Sequence, residues 1–148
     1  MKAQDKTNSF INHRNLPLLL LQAREQVFKR FKPLLKTAGL TEQQWRIVRA
    51  LLDHGPLEPR QIGEICCLTS PSLAGILARM DETQLINRER FANDQRRVLV
   101  TVSKKGKKIA ATLGPKIEAT YKQFESEVGR QLSKNLYETL DTLLKKLS

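Results

Sequence analysis

A chain of 148 residues with 40% hydrophobic and 28% charged side chains has the apolar content for one sizeable core, which excludes a disordered or collagen-like protein. Its 26 Lys and Arg against 15 Asp and Glu give a formal net charge of +11, so the expected partner is acidic: nucleic acid, an anionic membrane or an acidic protein. No apolar run approaches the roughly 18 residues of a membrane span, and the polar start MKAQDKTNSFINHRN lacks a secretory core, so a cytoplasmic location with no membrane partner is expected.

In chain order, Asn15 and Pro17 suit the start of a helix carrying Leu18, Leu21, Val27, Phe28 and Phe31, which Pro33 should kink or end. The stretch TEQQWRIVRALLDHGP opens with a capping-box pattern, Thr41 to Gln44, places Trp45, Val48, Leu51 and Leu52 at helical spacing, and stops at Gly55-Pro56. Pro59 starts a short helix with Ile62, Ile65 and Cys66 inward. In TSPSLAGILARMDETQL, Ser70 is the cap, Pro71 the first helical residue, and Leu73, Ile76, Leu77 and Met80 the buried stripe. Two short helices a few residues apart form a helix-turn-helix pattern.

Residues 86 to 91 and 97 to 102 read as strands joined by the polar turn ANDQR, with Val98, Val100 and Val102 alternating as on a half-buried strand. From Ser103 a helical period runs through Ile109, Leu113, Ile117, Tyr121, Phe124, Val128 and Leu132, with a bend expected at Gly114-Pro115. A final helix carries Leu136, Leu140, Leu143, Leu144 and Leu147. The first helix and these last two hold more apolar stripe than a small core covers, so a second copy of the chain is the expected partner.

Residues 86 to 108, INRERFANDQRRVLVTVSKKGKK, hold eight Arg or Lys against Glu89 and Asp94, so the excess charge is focused as for a polyanion. An arginine on a thin hairpin is one of the few side chains that enters a narrow minor groove, where the negative potential is enhanced. Arg88, Arg90, Arg96 and Arg97 are the candidates. Asp94 can accept a charge-assisted bond from Arg96 and fix its direction, or it can be a simple turn former. On the second short helix, Thr69, Ser70 and Ser72 are candidates for phosphate or base-edge contacts, or helix caps, and Arg79 for a phosphate contact. Arg60, Lys104 and Lys105 are either phosphate contacts or solvated surface.

An enzyme needs a nucleophile with a base, paired carboxylates or metal ligands. The histidines are only His13 and His54, with no metal-ligand spacing and no phosphate-cradling glycine loop, so neither catalysis, metal nor cofactor is expected. Adjacent Cys66 and Cys67 cannot build a disulfide framework and read as small buried residues. A thiol-based redox sensor using them is the alternative, set against the strain of a disulfide between neighbours.

The order helix, helix, helix-turn-helix, then a hairpin reading NDQRRVLVTVSKKG, resembles the winged-helix repressors of the multiple antibiotic resistance regulator (MarR) family. Their wing signature is Asp-x-Arg, then an alternating apolar strand and a Thr/Ser-x-x-Gly helix start; Asp94 and Arg96 match it. LLQAREQVFKRFKPLLKTAGLTEQQWRIVRAL and PSLAGILARM further resemble the branch that represses homoprotocatechuate or 4-hydroxyphenylacetate degradation. The chain departs from the family at Ala74 and Gly75, where many members carry Thr-Arg.

The resemblance implies a mainly α fold with a small β-hairpin wing, a single domain over 1 to 148. A winged helix-turn-helix at 41 to 102 would sit on a helical dimerisation platform from 10 to 38 and 103 to 148. It implies a homodimer on a pseudo-palindromic operator, released by a small ligand. An aromatic acid effector would bind where platform and DNA-binding lobe join, and His13, Arg14, Arg24, Trp45 and Arg46 are the candidates. Each has a plainer reading: Trp45 as core, His13 and Arg14 as an N-terminal segment, Arg24 as one half of an ion pair across the dimer.

Overall fold

The computed structural model describes residues 10–148, so the first part of the polar start lies outside it. The elements are α1 (Leu16–Phe28), α2 (Lys32–Ala38), α3 (Glu42–His54), α4 (Pro59–Cys66), α5 (Ser70–Glu82), β1 (Ile86–Phe91), β2 (Asp94–Val102), α6 (Lys104–Val128) and α7 (Arg130–Leu147). This is a mainly α fold with one antiparallel hairpin, as the sequence implied.

Local chemistry sets the boundaries. The Asn15 side chain accepts from the Leu18 amide, and Pro17 sits in the first turn of α1. The expected single helix to Phe31 instead breaks after Phe28, and Pro33 opens the next helix, where its missing N–H is no loss. At α3 the capping box forms: Thr41 Oγ1 accepts from the Gln44 amide, and Gln44 Oε1 from the Thr41 amide, both at 3.1 Å. Thr69, not Ser70, is the N-cap of α5. Pro115 lies inside α6, which stays one helix, and the break the periodicity missed is at Gly129. Its φ of 88° suits a residue without Cβ, so the period attributed to one helix through Leu132 belongs to two.

The hairpin is longer than expected. β2 begins at Asp94, the turn is only Ala92-Asn93, and a register irregularity between Arg90 and Phe91 absorbs the extra residues. Leu57, just before α4, bridges Val100 of β2 with hydrogen bonds of 3.1 and 2.8 Å, adding a third short rung to the sheet.

One hydrophobic cluster runs from Phe31 and Leu35 through Ile47, Val48, Ile62, Leu73, Leu77, Met80, Ile86 and Val100 to Leu113 and Ile117. Leu52 and Ile65 are exposed against expectation, and Trp45 and Ile76 pack only half-buried against the core. Ile47 takes the central place on α3 because the inward face of that helix falls on Gln44, Ile47, Val48 and Leu51. α1 buries no residue at all, and Leu132, Leu136, Leu144 and Leu147 of α7 are exposed. Among the described residues no single helix is long and apolar enough to cross a membrane.

Candidate nucleic-acid interface

α4 and α5 meet at 112°, joined through Cys67 in a left-handed conformation (φ 56°). Leu73, Leu77 and Met80 turn one face of α5 into the core. The opposite face therefore presents Thr69, Ser70, Ser72, Ala74, Gly75 and Arg79 to solvent. Thr69 Oγ1 donates to Ser72 Oγ at 3.1 Å, so the two hydroxyls at the start of α5 are ordered together. The N-cap Thr69 makes no side-chain bond to the first-turn amides and no acidic side chain lies in that turn, an arrangement suited to a phosphate.

The four hairpin arginines do different things. Arg96 stands 92% exposed beside the turn; its Nε donates to Asp94 Oδ1 at 3.3 Å, and its backbone amide donates to the same oxygen at 3.0 Å. Asp94 is thus both turn former and arginine support. Arg90 closes the hairpin on itself by donating to the Gln95 carbonyl. Arg88 donates from Nε and Nη2 to Asp81 Oδ2 at 3.1 and 2.9 Å. Arg97 pairs with Glu58 at 2.8 and 3.3 Å and lies 4.2 Å over the Phe91 ring. The Arg97 hydrogen bond holds the Glu58 carboxyl below the usual carboxylate range.

Elsewhere on this surface, Lys105 Nζ donates to the Thr83 carbonyl at 2.8 Å, and Arg60 makes only a loose 3.3 Å pair with Glu64. The Arg79 and Lys104 side chains form no hydrogen bond or ion pair among the described residues. Arg96, Arg79, Lys104 and Arg60 are thus the cations most available to a polyanion, with the hydroxyls of Thr69, Ser70 and Ser72 between them in sequence. Glu58 and Asp81 carry no local signal in the sequence: they lie 39 and seven residues from their arginines, on other elements.

The cysteines divide. Cys66 is buried, its thiol donating to the Arg46 carbonyl at 3.5 Å, and burial pushes that thiol up. Cys67, expected to be buried, is exposed, because the chain must leave α4 through a left-handed residue there.

Of the effector candidates, His13 and Arg14 are exposed ahead of α1. Arg24 pairs with Glu25 at 3.4 Å and with Glu42 of the same chain. Arg46 is structural: it donates to Glu42 at 3.0 Å and to the Cys66 carbonyl at 2.8 Å, tying α3 to α4. Trp45 packs half-buried against the core. A groove of about 490 Å³ nearby has Phe28, Leu35 and Leu40 in its walls and Lys29, Lys32 and Lys36 around it, but Trp45 does not line it.

Arg49 was not singled out from the sequence. It lies four residues after Trp45 and so on the same face of α3, bonded to Asp53. It also acts on the Tyr137 hydroxyl of α7, which burial pushes up, Tyr121 and Glu125 adding to the rise and Arg49 opposing it.

A MarR family profile matches residues 40–98. The chain is 35% identical over 133 residues to the HTH-type transcriptional regulator FarR of Neisseria gonorrhoeae, covering 90% of this chain and 91% of that one. It is equally 35% identical, over 132 residues and 89% of each chain, to the homoprotocatechuate degradative operon repressor of Escherichia coli. The crystal structure of NadR in complex with 4-hydroxyphenylacetate superposes with a TM-score of 0.78 at 34% identity, over 97% of each chain.

Proposed function

The chain belongs to the MarR family of transcriptional regulators, DNA-binding proteins and not enzymes, and we propose that it is a homodimeric repressor of an aromatic-acid catabolic operon. The observation that carries the DNA-binding role is Arg96, extended from the hairpin and seated on Asp94. Its direction is fixed before DNA arrives, so less side-chain freedom is lost on binding. Residues 41 to 102 then form the DNA-binding lobe, with the first turn of α5 in the major groove and the wing at the minor groove. Residues 10 to 38 and 103 to 148 form the dimer platform.

The proposed operator is pseudo-palindromic, with half-sites about one helical turn apart. A hydroxylated phenylacetate or related acid is the proposed effector, supported by the named specificity of the E. coli relative and by the ligand in the NadR structure. Its site is the junction near Trp45 where platform and lobe meet. The effector releases DNA if it binds best to a lobe spacing that does not fit two successive major grooves.

The direct experiment is selection of duplexes from a random pool by the purified chain, followed by affinity measurement at several salt concentrations. A palindrome-like consensus with a steep negative salt slope, roughly one unit per phosphate contact, is the expected result. Failure to enrich any sequence would remove the repressor reading.

A further inference from the structure

Two acidic side chains sit beside the surface that must approach a polyanion, and both are occupied by wing arginines. Glu58 follows Leu57, whose backbone bridge to Val100 sets it alongside β2 at the start of α4. Its carboxylate takes Arg97 through two nitrogens, while the same guanidinium covers the Phe91 ring of β1. Asp81, near the end of α5, takes Arg88 of β1 through two nitrogens. One ion pair joins the wing to the first helix of the helix-turn-helix, and the other joins it to the second.

A two-stranded ribbon has little orientational stability of its own. Exposed ion pairs add little to global stability, so overall folding does not require these two. What they do is tie both strands of the wing by side chain to the helix pair, β2 to the start of α4 and β1 to the end of α5. We infer that Glu58 and Asp81 are positioning residues for DNA binding, holding the wing where Arg96 meets the minor groove while α5 occupies the major groove. Arg97 and Arg88 are then struts, not phosphate contacts. Bare electrostatics gives the opposite sign: an acid beside DNA repels it, and its removal tightens binding.

The inference rests on the DNA-binding reading, so the test uses the full chain, the duplex it enriches best and an unrelated duplex of equal length. Glu58→Gln, Asp81→Asn, Arg97→Met and the double variant Glu58→Gln with Arg97→Met are compared with wild type, with thermal unfolding as the check on folding. Each acid-to-amide change is expected to weaken the enriched duplex by about tenfold, as loss of a preorganised geometry does, and to leave the unrelated duplex unchanged or slightly tighter. The double variant should bind little worse than Arg97→Met alone. The salt slope of Arg97→Met should match wild type, where a lost phosphate contact would reduce it by about one unit.

Folded Glu58→Gln and Asp81→Asn proteins that bind the enriched duplex as tightly as wild type, or more tightly, would overturn the inference. So would equal losses on both duplexes, or a reduced slope for Arg97→Met. If wild type enriches no duplex, the DNA-binding reading falls first and the inference with it.

Discussion

The α-carbon of Gly106 faces the Leu85 carbonyl oxygen so closely that a Cβ there would penetrate it, and would also stand 2.8 Å from Val102 Cγ1. Ser103 explains the approach: its amide donates to Leu85, its hydroxyl donates to Gln84 at 2.5 Å and accepts from the Gly106 amide at 3.0 Å. The start of α6 is thereby fixed to the segment that enters the wing.

Gly106→Ala should destabilise the fold by about 1–3 kcal/mol, because the contact is with backbone and cannot relax by a rotamer change. Gly75→Ala, on the open face of α5 with nothing within 4 Å, should instead stabilise by about 0.5–1 kcal/mol. Denaturant unfolding of the two variants checks the contrast; a Gly106→Ala protein as stable as wild type would contradict it.

Arg96→Ala should leave thermal unfolding unchanged, since a side chain 92% exposed contributes little to stability. Affinity for the enriched duplex should fall by at least about tenfold, the loss of a minor-groove arginine. Asp94→Asn should lose part of that, because the neutral amide holds the guanidinium without charge assistance. Unchanged affinity for folded Arg96→Ala would remove the wing from recognition.

The elements were legible in the sequence where one local rule governed them. The Thr41 to Gln44 box, the Pro59 and Pro71 starts and the 3.6-residue stripe of α5 all carry their cause within a turn of helix. The errors came from competing geometry. The hairpin turn is tighter than its polar residues suggest because the irregularity at Arg90 and Phe91 depends on cross-strand pairing. Ile65 and Leu52 have the period of the inward residues yet are exposed, because an apolar residue at the right period is indistinguishable from its neighbour until the packing partner is known. The basic hairpin read as one electrostatic patch. That Arg88 and Arg97 are paired while Arg96 stands out depends on Asp81 and Glu58, which folding brings to the wing from other elements.

Cys67 should react once with iodoacetamide on the native protein, and Cys66 only after unfolding, because one thiol is exposed and the other buried and bonded. The raised thiol of Cys66 also has a signed pH effect. Above about pH 8.5 the unfolded thiol ionises while the native one stays protonated, so stability falls as pH rises toward the folded value and is full below that range. Two rapid labels on native protein, or equal alkaline stability of Cys66→Ala and wild type, would refute the assignment.

α1 has no buried residue, although Leu16, Leu18, Leu19, Leu20 and Leu21 all lie on it, and Leu147 of α7 is 75% exposed. The proposed homodimer would cover these stripes with a second copy, in an interface more apolar than that of a transient complex. Deleting residues 133 to 148 should give a monomer in sedimentation and abolish tight binding to the enriched duplex. A truncated chain that sediments as a stable dimer would place the interface elsewhere.

The effector prediction turns on which cation holds the carboxylate. Arg46 already ties α3 to Cys66, so Arg46→Ala should lower stability and report nothing specific about ligand. Arg24 already pairs with Glu42, Arg14 stands exposed, and Arg49 lies on the Trp45 face of α3, bonded to Asp53. Guanidinium suits the task because it offers two parallel bonds to one carboxylate. Titrating wild type, Arg14→Ala, Arg24→Ala and Arg49→Ala with hydroxylated phenylacetates should change the fluorescence of Trp45, the only tryptophan, and release duplex in parallel. At least one variant should bind about tenfold or more weakly, the loss of a charge-assisted pair, while keeping wild-type affinity for DNA. If no aromatic acid binds wild type below millimolar concentration, or all three variants titrate like wild type, the effector site is not at this junction, and the DNA-binding role stands without it.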